Sequence, residues 1–306
     1  MKEIIKLKKF IKYLILILIV LVVIGFGGIT YFTNTIINQQ ANTRVVKNSN
    51  LIDKYSNLID QIETKTSDDL KINSWRFTVD NPEGIVLVIH GMHGQDASSL
   101  LDFGKFFYDN NYESFCIDLR AHGKSEGKKI GFGYTETRDL NSLLDWIKIQ
   151  PKYKDKEIIL FGLSMGGATA INTTPFRTDI DKIISVSSFA SYEKTFLDYM
   201  RKDEVPEYIV QAFKPSIRML LSLKYNTSPT KNSPVNNIKD INIPTLLIHG
   251  TDDQQISINQ AYELKQNGKE NIHLWEVKDY NHLVVTDILN EDNNWYKERL
   301  INFIKN

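Results

Sequence analysis

Ser164 is the residue in this chain best placed to act as a nucleophile. It lies at the centre of Gly162-Leu163-Ser164-Met165-Gly166, between the apolar run Ile158-Ile159-Leu160-Phe161 and the small residues Gly167-Ala168-Thr169-Ala170-Ile171. A serine held in a sharp strand-to-helix turn presents its hydroxyl to a substrate carbonyl, and glycines two residues to either side make room for the strained backbone this requires. The corresponding chemistry is acyl transfer. A serine hydroxyl is a poor nucleophile at neutral pH, so a base must take its proton and a carboxylate must orient that base.

The later part of the chain supplies both partners in the order Ser, Asp, His. Pro244-Thr245-Leu246-Leu247-Ile248 reads as a buried strand and is followed by His249-Gly250-Thr251-Asp252-Asp253. Asp253 is selected over Asp252 as the acid because it stands three residues past Gly250, where the chain can turn the carboxylate toward a histidine. Two histidines follow it. His273 falls inside the expected strand Ile272-His273-Leu274-Trp275-Glu276-Val277 and should be buried or on the wrong edge, whereas His282 falls in the loop beyond, after Asp279-Tyr280-Asn281. His282 is therefore the expected base.

An acyl-transfer site also needs hydrogen-bond donors for the oxygen that becomes negative, usually the largest single catalytic contribution. Ile85-Val86-Leu87-Val88-Ile89 is a continuous apolar run rich in β-branched residues, as in a parallel strand buried on both faces, and it ends in His90-Gly91-Met92-His93-Gly94. The backbone N–H groups of Met92 and Met165 are the expected oxyanion-hole donors. His90 and His93 are not read as a metal pair, because no carboxylate or further histidine stands at ligand spacing.

Taken together, His90-Gly91-Met92-His93-Gly94, Asp118-Leu119-Arg120-Ala121-His122-Gly123-Lys124-Ser125-Glu126-Gly127, the serine turn, His249-Gly250-Thr251-Asp252-Asp253 and His282 resemble an α/β-hydrolase. The group resembled is the serine aminopeptidase-like and monoacylglycerol-lipase-like one, in its bacterial membrane-anchored form. The resemblance runs from about Lys71 to the C-terminus. It implies a mostly parallel central sheet flanked by helices, a Ser164, Asp253 and His282 triad, an oxyanion hole from Met92 and Met165, and no metal or organic cofactor. Ala121 departs from the pattern, standing where the family usually has glycine.

The remaining segments are read by composition and spacing. Asp118 and His122 are assigned structural roles in a loop after the apolar run Phe115-Cys116-Ile117. Leu140, Leu143, Leu144 and Ile147 recur at helical spacing. The aromatics of Gly131-Phe132-Gly133-Tyr134 are read as core packing or as groove lining. Residues 189–240 break the strand-helix rhythm and read as a small helical cap, whose apolar residues either clamp an acyl chain or pack onto the core.

The N-terminus differs from the rest. Tyr13 to Phe32 carries no charge, and twenty residues at 1.5 Å rise span about 30 Å, the thickness of a bilayer's hydrocarbon core. Lys2, Lys6, Lys8, Lys9 and Lys12 precede it, which places that end in the cytoplasm and the enzyme outside. The expected organisation is a basic tail over 1–12, an uncleaved transmembrane signal-anchor over 13–33, a stalk or linker over 34–70 and a hydrolase domain over 71–306. The stalk is read as either a spacer or a short amphipathic helix through Leu51, Ile52, Tyr55, Leu58, Ile59 and Ile62. With 37 acidic and 37 basic side chains and zero formal net charge, the composition gives no sign of nucleic-acid binding. Cys116, the single cysteine, reads as a small apolar core residue.

The expected function is a membrane-anchored serine hydrolase acting on a small-molecule carboxylic ester through an acyl-enzyme. The alternatives are a serine aminopeptidase or amidase, and a non-catalytic sensor or binding module on the same fold.

Overall fold

Six mostly apolar strands form the parallel part of the sheet, in a computed structural model that describes residues 2–47, 49–282 and 294–306. They are β3 (Gly84–Ile89), β4 (Tyr112–Ile117), β5 (Glu157–Leu163), β6 (Lys182–Val186), β7 (Thr245–Gly250) and β8 (Ile272–Val277). β1 (Ile59–Lys65) and β2 (Lys71–Phe77) add an antiparallel edge, giving eight strands in the order β1-β2-β4-β3-β5-β6-β7-β8. β3 is buried throughout because both of its faces are covered: Ile85, Leu87 and Ile89 enter one apolar cluster, Val86 and Val88 the other. This is the mostly parallel, helix-flanked sheet that the resemblance to α/β-hydrolases implies.

α3 (Leu101–Asp109) and α10 (Asn294–Lys305) cover one face with Leu101, Phe103, Phe107, Leu300 and Ile304. α4 (Thr137–Lys148), α5 (Met165–Thr173) and α9 (Ile258–Asn267) cover the other. Leu140, Leu143, Leu144 and Ile147, the residues singled out by helical spacing, are the buried apolar residues of α4. Between β6 and β7 the chain forms α6 (Tyr192–Lys202), α7 (Glu207–Tyr225) and the short α8 (Pro234–Asn237), all inside the expected cap.

The N-terminal region is more structured than a span plus a spacer. α1 runs unbroken from Lys2–Ala41, and its apolar part is long enough to cross a membrane. Beyond it, Thr33, Ile37 and Ala41 recur every four residues and are buried against the hydrolase. The expected amphipathic helix is a single turn, α2 (Leu51–Lys54), and Ile59 and Ile62 belong instead to β1. The sheet thus begins inside residues 34–70, before the expected boundary at 71. A strand of mixed polarity was hard to foresee there because β1 is an edge strand, with few buried side chains to pattern it.

Candidate active site

The serine turn is built by close backbone approach. Ser164 closes β5 and precedes α5 with φ 51° and ψ −116°, a conformation that costs a non-glycine residue of order 1–3 kcal/mol. Gly166 is the residue that permits it: a Cβ there would lie 2.2 Å from the Ile89 carbonyl oxygen at the end of β3. The Ser164 N–H donates to the Val186 carbonyl at 2.7 Å, fixing the turn to β6.

The acid and the base reach Ser164 from neighbouring strand ends. Gly250 ends β7 so close to the next loop that a Cβ would sit 2.2 Å from the Tyr280 carbonyl oxygen. Asp252 N–H donates to Tyr280 O at 3.0 Å and Gln254 N–H to Asn281 Oδ1 at 3.0 Å, so the acid loop and the histidine loop are stitched together. His282 Nδ1 then lies 2.7 Å from Asp253 Oδ2, and its Nε2 lies 3.1 Å from Ser164 Oγ. Asp252 is exposed and lies outside this chain of contacts. His273, expected to be buried or on the wrong edge, lies within β8 as an exposed residue opposite Leu246 of β7, and it takes no part in these contacts.

The Asp253 carboxylate is saturated with donors. Gln255 and Ile256 N–H groups each reach Oδ1 at 2.8 Å, and His249 Nε2 stands 3.2 Å from Oδ2 while also donating to Ile256 O at 2.9 Å. Burial works to raise this carboxyl, but hydrogen bonds from His249 and His282 outweigh it and hold the group well below the usual carboxylate range. His249 is a residue to which sequence reasoning gave no role of its own. Its only signal was its position at a strand end four residues before the acid.

The loop after β3 folds over the serine. Gly91 N–H donates to Gln95 Oε1 at 3.1 Å, and a Cβ on Gly91 would lie 3.4 Å from Ser164 Cβ. Met92 belongs to this loop and Met165 is the first residue of α5, where first-turn N–H groups have no partner within the helix. His122 Nε2 lies 2.5 Å from the Met92 carbonyl oxygen and its Nδ1 2.8 Å from that of Arg120, so this buried histidine braces the loop. Ala121, which stands in place of the usual glycine, takes up φ 62° and keeps the turn a glycine would make.

Asp118 and His90 have structural partners. Asp118 accepts from Ala97 N–H, Asn73 Nδ2 and Lys124 N–H, and burial pushes its carboxyl up to about 6. His90 is buried with Nδ1 donating to Gly91 O and Nε2 accepting from Leu119 N–H; burial lowers its pKa and keeps it neutral. His93 instead contacts the Gln40 carbonyl of α1, at 3.0 Å. Among the described residues no group of three His, Cys, Asp or Glu side chains is arranged to hold a metal ion.

A cavity of about 290 Å³ contains Ser164 and His282 and is walled by Met92, Phe189, Phe196 and Tyr199. Gln40, from the end of α1, also lines it and accepts a hydrogen bond from Tyr192 OH. Residues 34–70 read in sequence as a stalk or linker, either a spacer or a short amphipathic helix from Leu51 onward, and nothing in that pattern points to Gln40. Phe132, left between core and groove, stacks on Tyr192 with ring centroids 3.8 Å apart and supports the wall from behind.

Fold and strand-end geometry define an α/β-hydrolase. The match can be made narrower: a family model described as serine aminopeptidase, S33, matches residues 80–235, and the chain belongs to that family. The uncharacterized protein YqkD of Bacillus subtilis is 26% identical over 202 residues, which make up 64% of each chain. The thiohydrolase aneE of Aspergillus aculeatus is 27% identical over 157 residues, 50% of this chain and 47% of that one. The chain thus matches less than two thirds of either relative's length. Among solved structures, the Pyrococcus furiosus esterase Pf2001 superposes with a TM-score of 0.69 at 25% identity, covering 87% of this chain and 97% of that one.

Proposed function

We propose that this protein is a membrane-anchored serine hydrolase that cleaves a carboxylic ester. The observation that carries this reading is the continuous hydrogen-bond path from Ser164 Oγ through His282 to Asp253. Ser164 Oγ attacks the ester carbonyl carbon while His282 Nε2 takes its proton. Met92 and Met165 N–H groups receive the oxyanion. The tetrahedral adduct collapses by breaking the carbon–oxygen bond to the alcohol, which leaves with the proton from His282 and gives an acyl-serine. Water then attacks that ester with His282 again as base, releasing the acid and restoring Ser164.

The cavity favours an ester over an aminopeptidase substrate. A free α-ammonium group needs an acidic partner, and among the described residues lining the cavity none is Asp or Glu. The same family nevertheless carries the aminopeptidase description, so amide cleavage stands as the second reading. α1 supplies the anchor, with its lysine-rich end in the cytoplasm and the hydrolase outside.

Ser164→Ala should abolish labelling by a fluorophosphonate probe while the circular dichroism spectrum is unchanged. Labelling that survives the substitution would refute the assignment.

A further inference from the structure

Three helices tie the cavity to the apolar span. α1 and α7 pack in parallel: Thr30 Oγ1 bonds Ser216 Oγ at 2.9 Å, and eight residues further along each helix Lys224 Nζ bonds Asn38 Oδ1 at 2.7 Å. Phe32 and Phe213 meet edge to face close to the first of these bonds. α6 runs the opposite way. Its first residue, Tyr192, bonds Gln40 and stacks on Phe132 beside Tyr225 at the end of α7, and its Arg201 pairs with Glu207 at the start of α7. α6 therefore runs back alongside α1 toward its apolar part.

Distances along these helices place the cavity mouth. From Phe32, the end of the apolar run, to Gln40 the helix rises about 12 Å. From Tyr192 to Tyr199, α6 descends about 10 Å again. Tyr192, Thr195, Phe196 and Tyr199 stand at i, i+3, i+4 and i+7, one face of α6, and all four line the cavity. Tyr199 is still 43% exposed, so it marks the open end, within a few ångströms of the level of Phe32.

The surroundings of that mouth suit a bilayer surface. From Lys6 to Gly28 α1 is exposed, and it packs on the hydrolase only from Ile29 onward. Tyr31 and Phe32 are exposed, as is Tyr208 at the start of α7, and such aromatics suit the headgroup layer. Lys202, Asp203, Glu204 and Glu207 are exposed beside Tyr208, which suits headgroups rather than hydrocarbon.

The geometry points to a substrate that resides in the membrane: an amphiphile carrying an acyl ester, entering past Tyr199 into the cavity that the Tyr192, Thr195, Phe196 and Tyr199 face of α6 shares with Ser164. This rests on reading Ser164 as the nucleophile and α1 as a membrane span. In this arrangement α1 fixes the height of the site above the bilayer and forms part of its wall through Gln40.

The test uses the full-length protein in phosphatidylcholine vesicles, with a protease recognition sequence inserted between Gly28 and Ile29. Cutting after reconstitution frees the hydrolase with Ile29–Ala41 still packed on it. A long-chain 4-methylumbelliferyl ester dissolved in the vesicles and a water-soluble short-chain one are assayed before and after cutting. We expect the long-chain rate to fall at least tenfold and the short-chain rate to stay within twofold. Persistence of both rates overturns the inference, and so does loss of both, which would make α1 a support of the site rather than a guide for substrate. Failure of the intact protein to turn over the long-chain ester while Ser164 still labels with fluorophosphonate overturns it as well. Absence of that labelling strikes the hydrolase reading itself. A second variant, Tyr199→Asp, places a charge at the mouth and should lower the long-chain to short-chain rate ratio at least tenfold; an unchanged ratio removes the α6 route.

Discussion

His249 and His282 share one oxygen of Asp253: Nδ1 of His282 lies 2.7 Å from Oδ2 and Nε2 of His249 lies 3.2 Å from it. The carboxylate that is proposed to orient the catalytic imidazole is thus itself held by a second, fully buried imidazole. His249 touches neither Ser164 nor the cavity, so its proposed role is to position Asp253. A hydrogen bond to a charged group contributes about 1.5–3 kcal/mol, and losing part of that through one intermediary should lower kcat about tenfold. His249→Phe is expected to do so with KM unchanged, and His249→Gln, which keeps an N–H donor, to recover most of the loss. Steady-state kinetics on a short-chain ester decides this, and a loss expressed in KM alone would reject it.

The same cluster makes a prediction about stability and pH. Asp253 is held below its unfolded value of about 3.9, so the ionised carboxylate contributes stability that is complete above that value and is lost as pH falls toward the lower folded value. Asp253→Asn has no such titration. Wild type should therefore exceed the variant in urea midpoint by a constant margin from pH 7 to 5, and the margin should shrink below about pH 4. A margin that stays level down to pH 3 would show that Asp253 is not so depressed.

The proposed orientation in the membrane rests on the lysines that precede the apolar run. Lys2, Lys6, Lys8, Lys9 and Lys12 are balanced only by Glu3. A basic flank of this kind holds its side in the cytoplasm. Proteinase K added to spheroplasts should degrade the hydrolase while an epitope placed ahead of Met1 survives. Full protection of the hydrolase would invert the topology.

The sequence was most readable where local sterics and function coincide. Gly162, Ser164 and Gly166 could be read because a strained turn admits few residue types, and β3 and β5 because strands covered on both faces are continuously apolar. Asp253 was separable from Asp252 by spacing alone, and the structure puts only Asp253 against His282. β1 was hidden because an edge strand buries little. Gln40 was hidden for a different reason: it matters only because α1 continues past its apolar run and docks on α6 and α7, a tertiary fact without a local pattern. His249 stood in a recognised segment, but a histidine at a strand end is as often structural, and only the 3.2 Å approach to Asp253 distinguishes it.

Gly250 offers a way to disturb the site without touching a reacting group. Its Cβ position lies 2.2 Å from the Tyr280 carbonyl oxygen and 2.8 Å from that of Asn281, both backbone atoms that cannot rotate away. Gly250→Ala must therefore push the 280–282 segment outward from β7. Overpacking of this kind costs about 1–3 kcal/mol, so the fold should survive with a lowered melting temperature. His282 follows directly, and a displacement of about 1 Å in a reacting group can cost on the order of a hundredfold in rate. The expected outcome is thus a large loss of kcat with a modest loss of stability. Gly133→Ala is the control: Gly133 has φ 82°, nothing closer than 3.5 Å to its Cβ position and no place in the cavity lining, so it adds backbone strain without a collision at the histidine loop. Differential scanning fluorimetry and ester kinetics on both variants separate the two effects. Comparable rate losses in the two would mean that backbone strain, not the Gly250–Tyr280 contact, sets the position of His282.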